Sequence, residues 1–397
     1  PRFDTNQERL MVRSRGQVGA TATAVDTGAT VSGITGVLDY HTGTWALLPD
    51  AGSGTVAGGR APAPVSEPAD DDVRIAAFNL LRFFDEVADG NGAATLQAAA
   101  VDKRLTKASQ AICDFLRAPD IIGVVEVENL RILGLLSARL AATCPSAPQY
   151  TPYLVNGNDV GGINVGFLVN TRDQGGVPRV QVEEVTQFGK TTLLDNPDGS
   201  TSVLNDRPPL LLRAVVTPAA GDPFPVTVIV NLLRSLGDTE SMEPGSTRCP
   251  TSGHRVRYKR MAQARYLAEL VQARQLADPD ERLVLLGDFN AFEVNDGLAD
   301  LMGIVTGREA PVDAVLVHSG HSIDVPLTNL TTWVPAAERY SYVFEGNAQV
   351  LDHVVANQAL IDAVPGLRTE HARINADFGV DNYGDGTVPL RVSDHDP

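Results

Sequence analysis

The sequence predicts an α/β domain behind a small β-rich segment, and three observations predict it. Five apolar runs stop abruptly at acids, amides or histidine, three longer segments space their apolar residues as helices do, and the first 58 residues break short apolar runs with glycine.

The elements follow in order. Residues 1–58 read as short strands, with Val31 to Val37 and Trp45 to Leu48 flanking a turn at His41 to Thr44. Gly52 to Asp72, rich in Gly, Ala and Pro and closed by three acids, is a linker by composition, and 59–72 is taken as its extent. The main domain is then 73–397. Arg74 to Phe78 is an apolar strand that stops at Asn79. Leu96 to Arg117 is a helix, with Leu105, Ala108, Ile112, Phe115 and Leu116 at helical spacing. Ile121 to Val125 runs into Glu126, with Glu128 and Asn129 just beyond, and Leu130 to Ala142 is a second helix. Val226 to Asn231 is a strand, and Val256 to Gln275 is a third helix. Leu283 to Leu286 precede Asp288 and Asn290, Val350, Val354 and Val355 flank Asp352 and His353, and the chain closes on Ser393-Asp394-His395-Asp396-Pro397. Polar, glycine-rich loops at 156–166 and 237–253 are expected either to wall a groove or to be disordered.

Strand ends deliver side chains to a sheet rim, so these runs would gather Asn79, Glu126, Asp288, Asn290, Asp352, Asp394 and His395 in one place. Any one string reads equally well as a turn after a strand, because Asp and Asn favour turns. The set has a chemical logic. Hard divalent cations take oxygen ligands, so Glu126 and Asp394 with the Asn79 amide would form an open Mg2+ or Mn2+ site. A histidine beside an aspartate is held in one tautomer and becomes a better base, and Asp288 and Asn290, two apart on one strand end, could position an attacking water. That combination suggests metal-assisted hydrolysis of a phosphoester.

These residues carry a resemblance. Phe78-Asn79-Leu80, Ile122-Gly123-Val124-Val125-Glu126-Val127, Gly287-Asp288-Phe289-Asn290, Leu351-Asp352-His353 and Ser393-Asp394-His395, in this order, resemble the endonuclease/exonuclease/phosphatase superfamily. Tyr340-Ser341-Tyr342-Val343-Phe344-Glu345-Gly346 and Arg207-Pro208-Pro209-Leu210 look like its large bacterial extracellular nucleases, in which a small oligonucleotide-binding barrel often precedes the catalytic domain. The segment before the linker resembles part of such a barrel. The resemblance implies a four-layer α/β sandwich, two mixed β-sheets face to face and flanked by helices. It also implies that Asn79, Glu126 and Asp394 hold the metal, that Asp352 orients His395 against the phosphate, and that Asp288 and Asn290 position or activate water. Arg207 is a candidate phosphate contact, since a guanidinium fork fits phosphate oxygens, or else a surface arginine before two prolines.

One position departs from the family pattern. Where the family has Asn and then His, the chain reads Asn231-Leu232-Leu233-Arg234-Ser235. Leu232 can neither donate a hydrogen bond nor transfer a proton, a loss of roughly two to four powers of ten in rate. The leucine is an inactivating substitution, a natural loss of activity, or a change compensated by Arg234 or His254.

Composition fits an enzyme more than a structural nucleic-acid-binding protein. With 397 residues, 43% of them hydrophobic, the chain can bury a large core, but its net charge of −17 is unfavourable for phosphate affinity. Positive charge must be gathered locally, and Arg248, His254, Arg255, Arg257, Lys259, Arg260 and Arg265 cluster on and before the third helix as a basic patch or a solvated helix face. Cys113, Cys144 and Cys249 show no metal-ligand spacing. Cys113 and Cys144 could pair in a secreted protein or remain thiols. Asp377 to Asp385 could bind Ca2+ as a structural ion, although it lacks the distal glutamate of an EF-hand loop. No run is long and apolar enough to cross a membrane, and no signal peptide is visible. The chain starts without methionine and ends where the family continues into one more strand, so a secreted or periplasmic bacterial protein whose leader is absent from this chain is expected.

The reading is a divalent-metal-dependent phosphodiesterase, a nuclease acting on DNA or RNA and impaired by Leu232. The alternatives are a phosphomonoesterase or phospholipid phosphodiesterase with the same site, or a catalytically inactive nucleic-acid- or phosphate-binding protein. Oligomeric state is left open.

Overall fold

The computed structural model describes residues 10–41, 44–245 and 249–397. Two mixed sheets form its centre. The first has four strands, β1 (Ile75–Phe83), β2 (Ile121–Val127), β3 (Tyr150–Leu154) and β4 (Asn164–Asn170), in the order β1-β2-β4-β3. The second has six, β5 (Val180–Gln187), β6 (Leu210–Val216), β7 (Phe224–Leu232), β8 (Leu283–Asp288), β9 (Thr328–Asn329) and β10 (Asp352–Ala356), in the order β5-β6-β7-β8-β10-β9. Each sheet has a single parallel pair, β1 with β2 and β7 with β8, among antiparallel neighbours.

Three apolar cores account for four layers. Ile121, Val125 and Phe167 from one sheet pack against Leu212, Val230 and Leu286 from the other, so the sheets meet face to face. The outer face of the first sheet packs on α1 (Ala98–Gln110) and α2 (Leu130–Thr143) through Leu105, Leu133, Leu136 and Leu140. The outer face of the second packs on α3 (Ser252–Ala277) and α4 (Leu301–Thr306). The expected four-layer α/β sandwich is the observed fold. Strands buried on both faces need unbroken apolar runs, which is why those runs were visible in the sequence.

The second sheet packs tightly against Gly123, where a Cβ would lie 2.2 Å from Leu286 Cδ1 and 3.1 Å from Val230 Cγ2. Gly123→Ala therefore forces the sheets apart and should cost about 1–3 kcal/mol, read as a lower urea midpoint with an unchanged m-value. A midpoint equal to that of the parent would show that the interface absorbs a methyl group.

Several boundaries differ from expectation. The strand that was to stop at Asn79 continues to Phe83, and its register with β2 shifts between Asn79 and Phe83. Three residues of β1 then stand opposite one of β2, an irregularity across which the two strands stay paired. Asp352 and His353 open β10, which runs antiparallel to β8, so a strand start reaches the same rim as a strand end. Asp394 and His395 follow no strand, and an isolated bridge between Tyr342 and His395 fixes the segment.

Before the sandwich, Met11–Val12, Gly36–His41 and Thr44–Pro49 form one small sheet, and Ala29–Ser32 pairs with Thr55–Gly58 in another. Part of the turn expected at His41 to Thr44 lies outside the described residues. The segment read as a linker is docked along the domain. Ala63 exchanges backbone hydrogen bonds with Arg373, and Val65 N donates to Phe115 O. Cys113 and Cys144 are joined as a disulfide with Cα atoms 5.2 Å apart, while the buried Cys249 thiol faces the Thr251 carbonyl at 3.6 Å.

The segment 377–385 is already served by an internal cation. The buried Lys107 ammonium donates to the carbonyls of Asn382, Asp385, Val388 and Leu390 at 2.7–3.0 Å. Asp385 accepts from Thr387, and Asp377 accepts from the Tyr340 hydroxyl.

Candidate active site

Three adjacent strands align one side chain each across the rim. Leu232 on β7 is in register with Asp288 on β8, which is in register with Asp352 on β10. A groove of about 1310 Å³ opens over this row. Glu126, Arg207, Leu232, Asp288, Asn290, Asp394 and His395 line it, and its walls include Asp159, Val160, Gly237 and Glu240 from the two long loops.

The buried pair at its floor is Asp352 and His395. His395 Nδ1 donates to Asp352 Oδ2 at 2.6 Å, leaving Nε2 3.9 Å from Asp394 Oδ1. Asp352 is itself locked, since the Ser341 hydroxyl donates to the same Oδ2 at 2.6 Å while accepting from the Leu351 and Asp352 N–H groups. Tyr342 packs on the imidazole with ring centroids 4.8 Å apart. Burial alone would lower the His395 pKa, but the charge and hydrogen bond of Asp352, with Asp288 and Asp394, raise it to about 10. His395 is therefore an imidazolium at neutral pH. This modifies the expectation of a histidine base, because three surrounding carboxylates hold the proton on the ring.

Asp288 has the complementary shift. Complete burial raises its pKa to about 7, opposed by His395 and assisted by Asp352 and Glu126. Its Oδ1 accepts from Asn290 N at 2.7 Å, and its Oδ2 accepts from Asn290 Nδ2 at 3.1 Å and Asn79 Nδ2 at 3.3 Å. Buried titratable groups with shifted pKa values beside a groove are a mark of a functional site.

On the first sheet, Asn79 Nδ2 lies 3.4 Å from Glu126 Oε1, and the Arg82 N–H donates to Glu126 Oε2 at 3.0 Å. Asn79 Oδ1 accepts from Leu81 N and keeps a second lone pair. Asp394 faces the same groove. Asp288, Asp352 and His395 also offer ligand atoms within 4.8 Å of one another. In that trio the Nδ1 atom is engaged as a donor to Asp352, so the oxygen-rich set Asn79, Glu126 and Asp394 fits a hard cation better. Acids outnumber the cations facing them, which also suits a divalent ion.

Backbone strain concentrates at the same rim. Leu81, Arg82, Glu126 and Asn290 have φ between 48° and 59°, a left-handed conformation that costs about 1–3 kcal/mol each and persists only when neighbours enforce it. Two arginines do so, one partly buried and one fully buried. Arg104 on α1 donates to the carbonyls of Leu80, Leu81 and Arg82, and Arg260 on α3 donates to those of Arg234 and Asn290. Neither role is legible in the sequence, where Arg104 looks like a solvated helix residue and Arg260 one of a basic cluster. Ser341 and Tyr342 were also missed as supports, although their motif was visible.

Much of the basic cluster's charge is engaged within the fold. Arg260 is 1% exposed, Lys259 is bonded to Asp206 at 2.7 Å, Arg265 to Glu269 at 2.7 Å, and Arg257 donates to Thr239 O. Arg248 lies outside the described residues. The backbone N–H of His254 donates to the Thr251 hydroxyl that caps α3, and neither His254 nor Arg234 lines the groove beside Leu232. Arg207 does line it, held by Asp159 at 2.9 Å and by the Leu233 carbonyl. His353 is buried between Asn329 and the Ala291 carbonyl, and burial pushes its pKa down to about 4, so it is a neutral structural residue.

The raised His395 pKa sets a pH dependence of stability. A histidine raised from 6.5 to about 10 on folding stabilises fully below its unfolded value, and the contribution is lost as pH rises through 10. The stability of the parent relative to His395→Ala should be greatest near pH 6 and shrink towards pH 10 in urea unfolding. A constant difference would mean that the ring is neutral throughout.

Among the described residues no helix is long and apolar enough to cross a membrane. No curated protein sequence matches the chain. Its backbone is similar to TDP2 from C. elegans (13% identity, covering 82% of this chain and 72% of that chain, TM-score 0.43). It is similar to an endonuclease/exonuclease/phosphatase from Bacteroides vulgatus (14% identity, 82% and 95%, TM-score 0.44) and to the human nocturnin catalytic domain (13% identity, 72% and 83%, TM-score 0.40). Residues 76–395, which hold every site residue from Asn79 to His395, match the endonuclease/exonuclease/phosphatase family. The chain belongs to the endonuclease/exonuclease/phosphatase family, whose members hydrolyse phosphoester bonds.

Proposed function

We propose that this protein is a divalent-metal-dependent phosphodiesterase that cleaves nucleic acid, DNA in the first place, and that Leu232 limits its rate. The observation that carries the reading is the hydrogen-bonded His395–Asp352 pair beside the buried Asp288 at a groove large enough for a polymer.

In this reading Asn79, Glu126 and Asp394 hold Mg2+ or Mn2+. Bound there, the ion supplies charge neutralisation at the phosphate. Asp352 keeps His395 protonated and aims its Nε2–H at a phosphate oxygen. Asp288, poised near neutrality, takes the proton of a water that it holds together with Asn290. Arg207, fixed by Asp159, presents an edge to the phosphate backbone. Leu232 stands in line with Asp288 where another hydrogen-bond donor would be expected, and it favours nucleic-acid binding without turnover as the second reading. The protein works outside the cytoplasm, secreted or periplasmic in a bacterium, and the Cys113–Cys144 disulfide supports that placement.

The test is conversion of supercoiled plasmid with Mg2+, with and without a chelator. Slow, chelator-sensitive nicking supports the proposal. An intact plasmid alongside hydrolysis of a small phosphate ester would move the reading to a phosphomonoesterase or phospholipid phosphodiesterase, and binding without cleavage of either would favour the inactive protein.

A further inference from the structure

The groove is poorly equipped to hold a nucleic acid by its phosphates. Of the three arginines that line it, Arg207 is paired with Asp159 at 2.9 Å and Arg339 with Glu293 at 3.3 Å, leaving Arg82, among the described residues, outside an ion pair. The chain as a whole carries a charge of −17. Beyond Arg207 and the metal site, affinity needs a further contact, and the groove displays one. Tyr342 and Phe344 line it two residues apart on a short strand, their rings inclined by only 13° with centroids 6.5 Å apart. Phe344 is 51% exposed, an unusual state for a phenylalanine beside a buried site.

Two rises of an extended strand set about this 6.5 Å separation, and nearly parallel rings so spaced offer aromatic faces on which a planar base can stack. The strand that carries them is rigidly set. Tyr342–Phe344 pairs with Asn347–Gln349 across a two-residue turn at Glu345 and Gly346, whose φ values of 48° and 80° are those of a tight hairpin. Ser341 ties its base to Asp352, and Tyr342 leans on His395. A base held there would put its own nucleotide next to the imidazolium.

From this arrangement we infer that Tyr342 and Phe344 form a stacking slot for one unpaired nucleobase and that the preferred substrate is single-stranded nucleic acid. A base inside a duplex has both faces covered by its neighbours, so only an unpaired or extruded base can enter. The inference rests on the nuclease reading and narrows its substrate. Stacking on an aromatic side chain serves any base, so sequence preference should be weak.

Binding in the presence of a chelator tests the slot independently of turnover. Fluorescence anisotropy would compare a labelled single strand of roughly 16 nucleotides, an abasic strand of equal length and a duplex. The parent should bind the single strand about tenfold or more tightly than the other two. Phe344→Ala should lose about tenfold for the single strand and nothing for the abasic strand, and Phe344→Trp should restore binding. Equal affinity of the parent for single and abasic strands, or no effect of Phe344→Ala, overturns the slot while leaving the nuclease reading intact. No binding to any strand, together with hydrolysis of a small phosphate ester and no cleavage of nucleic acid, overturns both.

Discussion

Leu232→His should raise plasmid cleavage about 10²- to 10⁴-fold, the range typical of restoring one positioned proton donor or oxyanion contact. The geometry favours a large effect. Leu232 is 3% exposed, lines the groove and is in register with Asp288, which in turn is in register with Asp352. An imidazole at this position would join the row formed by Asp288 and Asp352 at the groove. Replacing a largely buried leucine with a polar ring should cost about 1–2 kcal/mol of stability, which the domain can absorb. Activity and urea midpoint measured on the same preparations separate the two effects. A variant that stays folded and cuts no faster than the parent would show that the leucine is compensated.

Asp352→Asn, placed in the Leu232→His background so that the rate is measurable, should lower cleavage by about 10²- to 10⁴-fold. Asp352 Oδ2 accepts two hydrogen bonds at 2.6 Å, from Ser341 and from His395. An amide whose oxygen takes the Oδ2 place can still accept from both groups, but it no longer carries the negative charge that keeps the imidazole protonated. The alkaline limb of the pH–rate profile should accordingly move to lower pH, because the His395 pKa falls when Asp352 no longer raises it. A uniform loss of rate with an unmoved profile would mean that Asp352 acts only as packing.

The strands and helices were legible for a definite reason. Leu283 to Leu286, Ile121 to Val125 and Val226 to Asn231 are covered on both faces, so their apolar runs appear as unbroken strings. Leu130–Thr143 and Ser252–Ala277 bury one stripe each and show helical spacing, with ends set by the side-chain caps of Asn129 and Thr251. The extension past Asn79 was not legible, because the bulge depends on register with Val125 and Val127 in a strand more than 40 residues away. Nor was the fate of the basic cluster, whose apparent surplus of charge disappears against Asp206, Glu269 and the carbonyls of Arg234 and Asn290.

By itself the sequence determined which chemical groups are available, the α/β class and the absence of an imidazole at position 232, because residue identity and apolar periodicity are local properties. Tertiary structure alone decided their states. The proton on His395, the near-neutral Asp288, the strained turns held by Arg104 and Arg260, and the spacing of Tyr342 from Phe344 all depend on charges, carbonyls and rings brought together across long separations in the chain. A pKa or a stacking gap is a property of surroundings, and surroundings exist only once the sheets have packed.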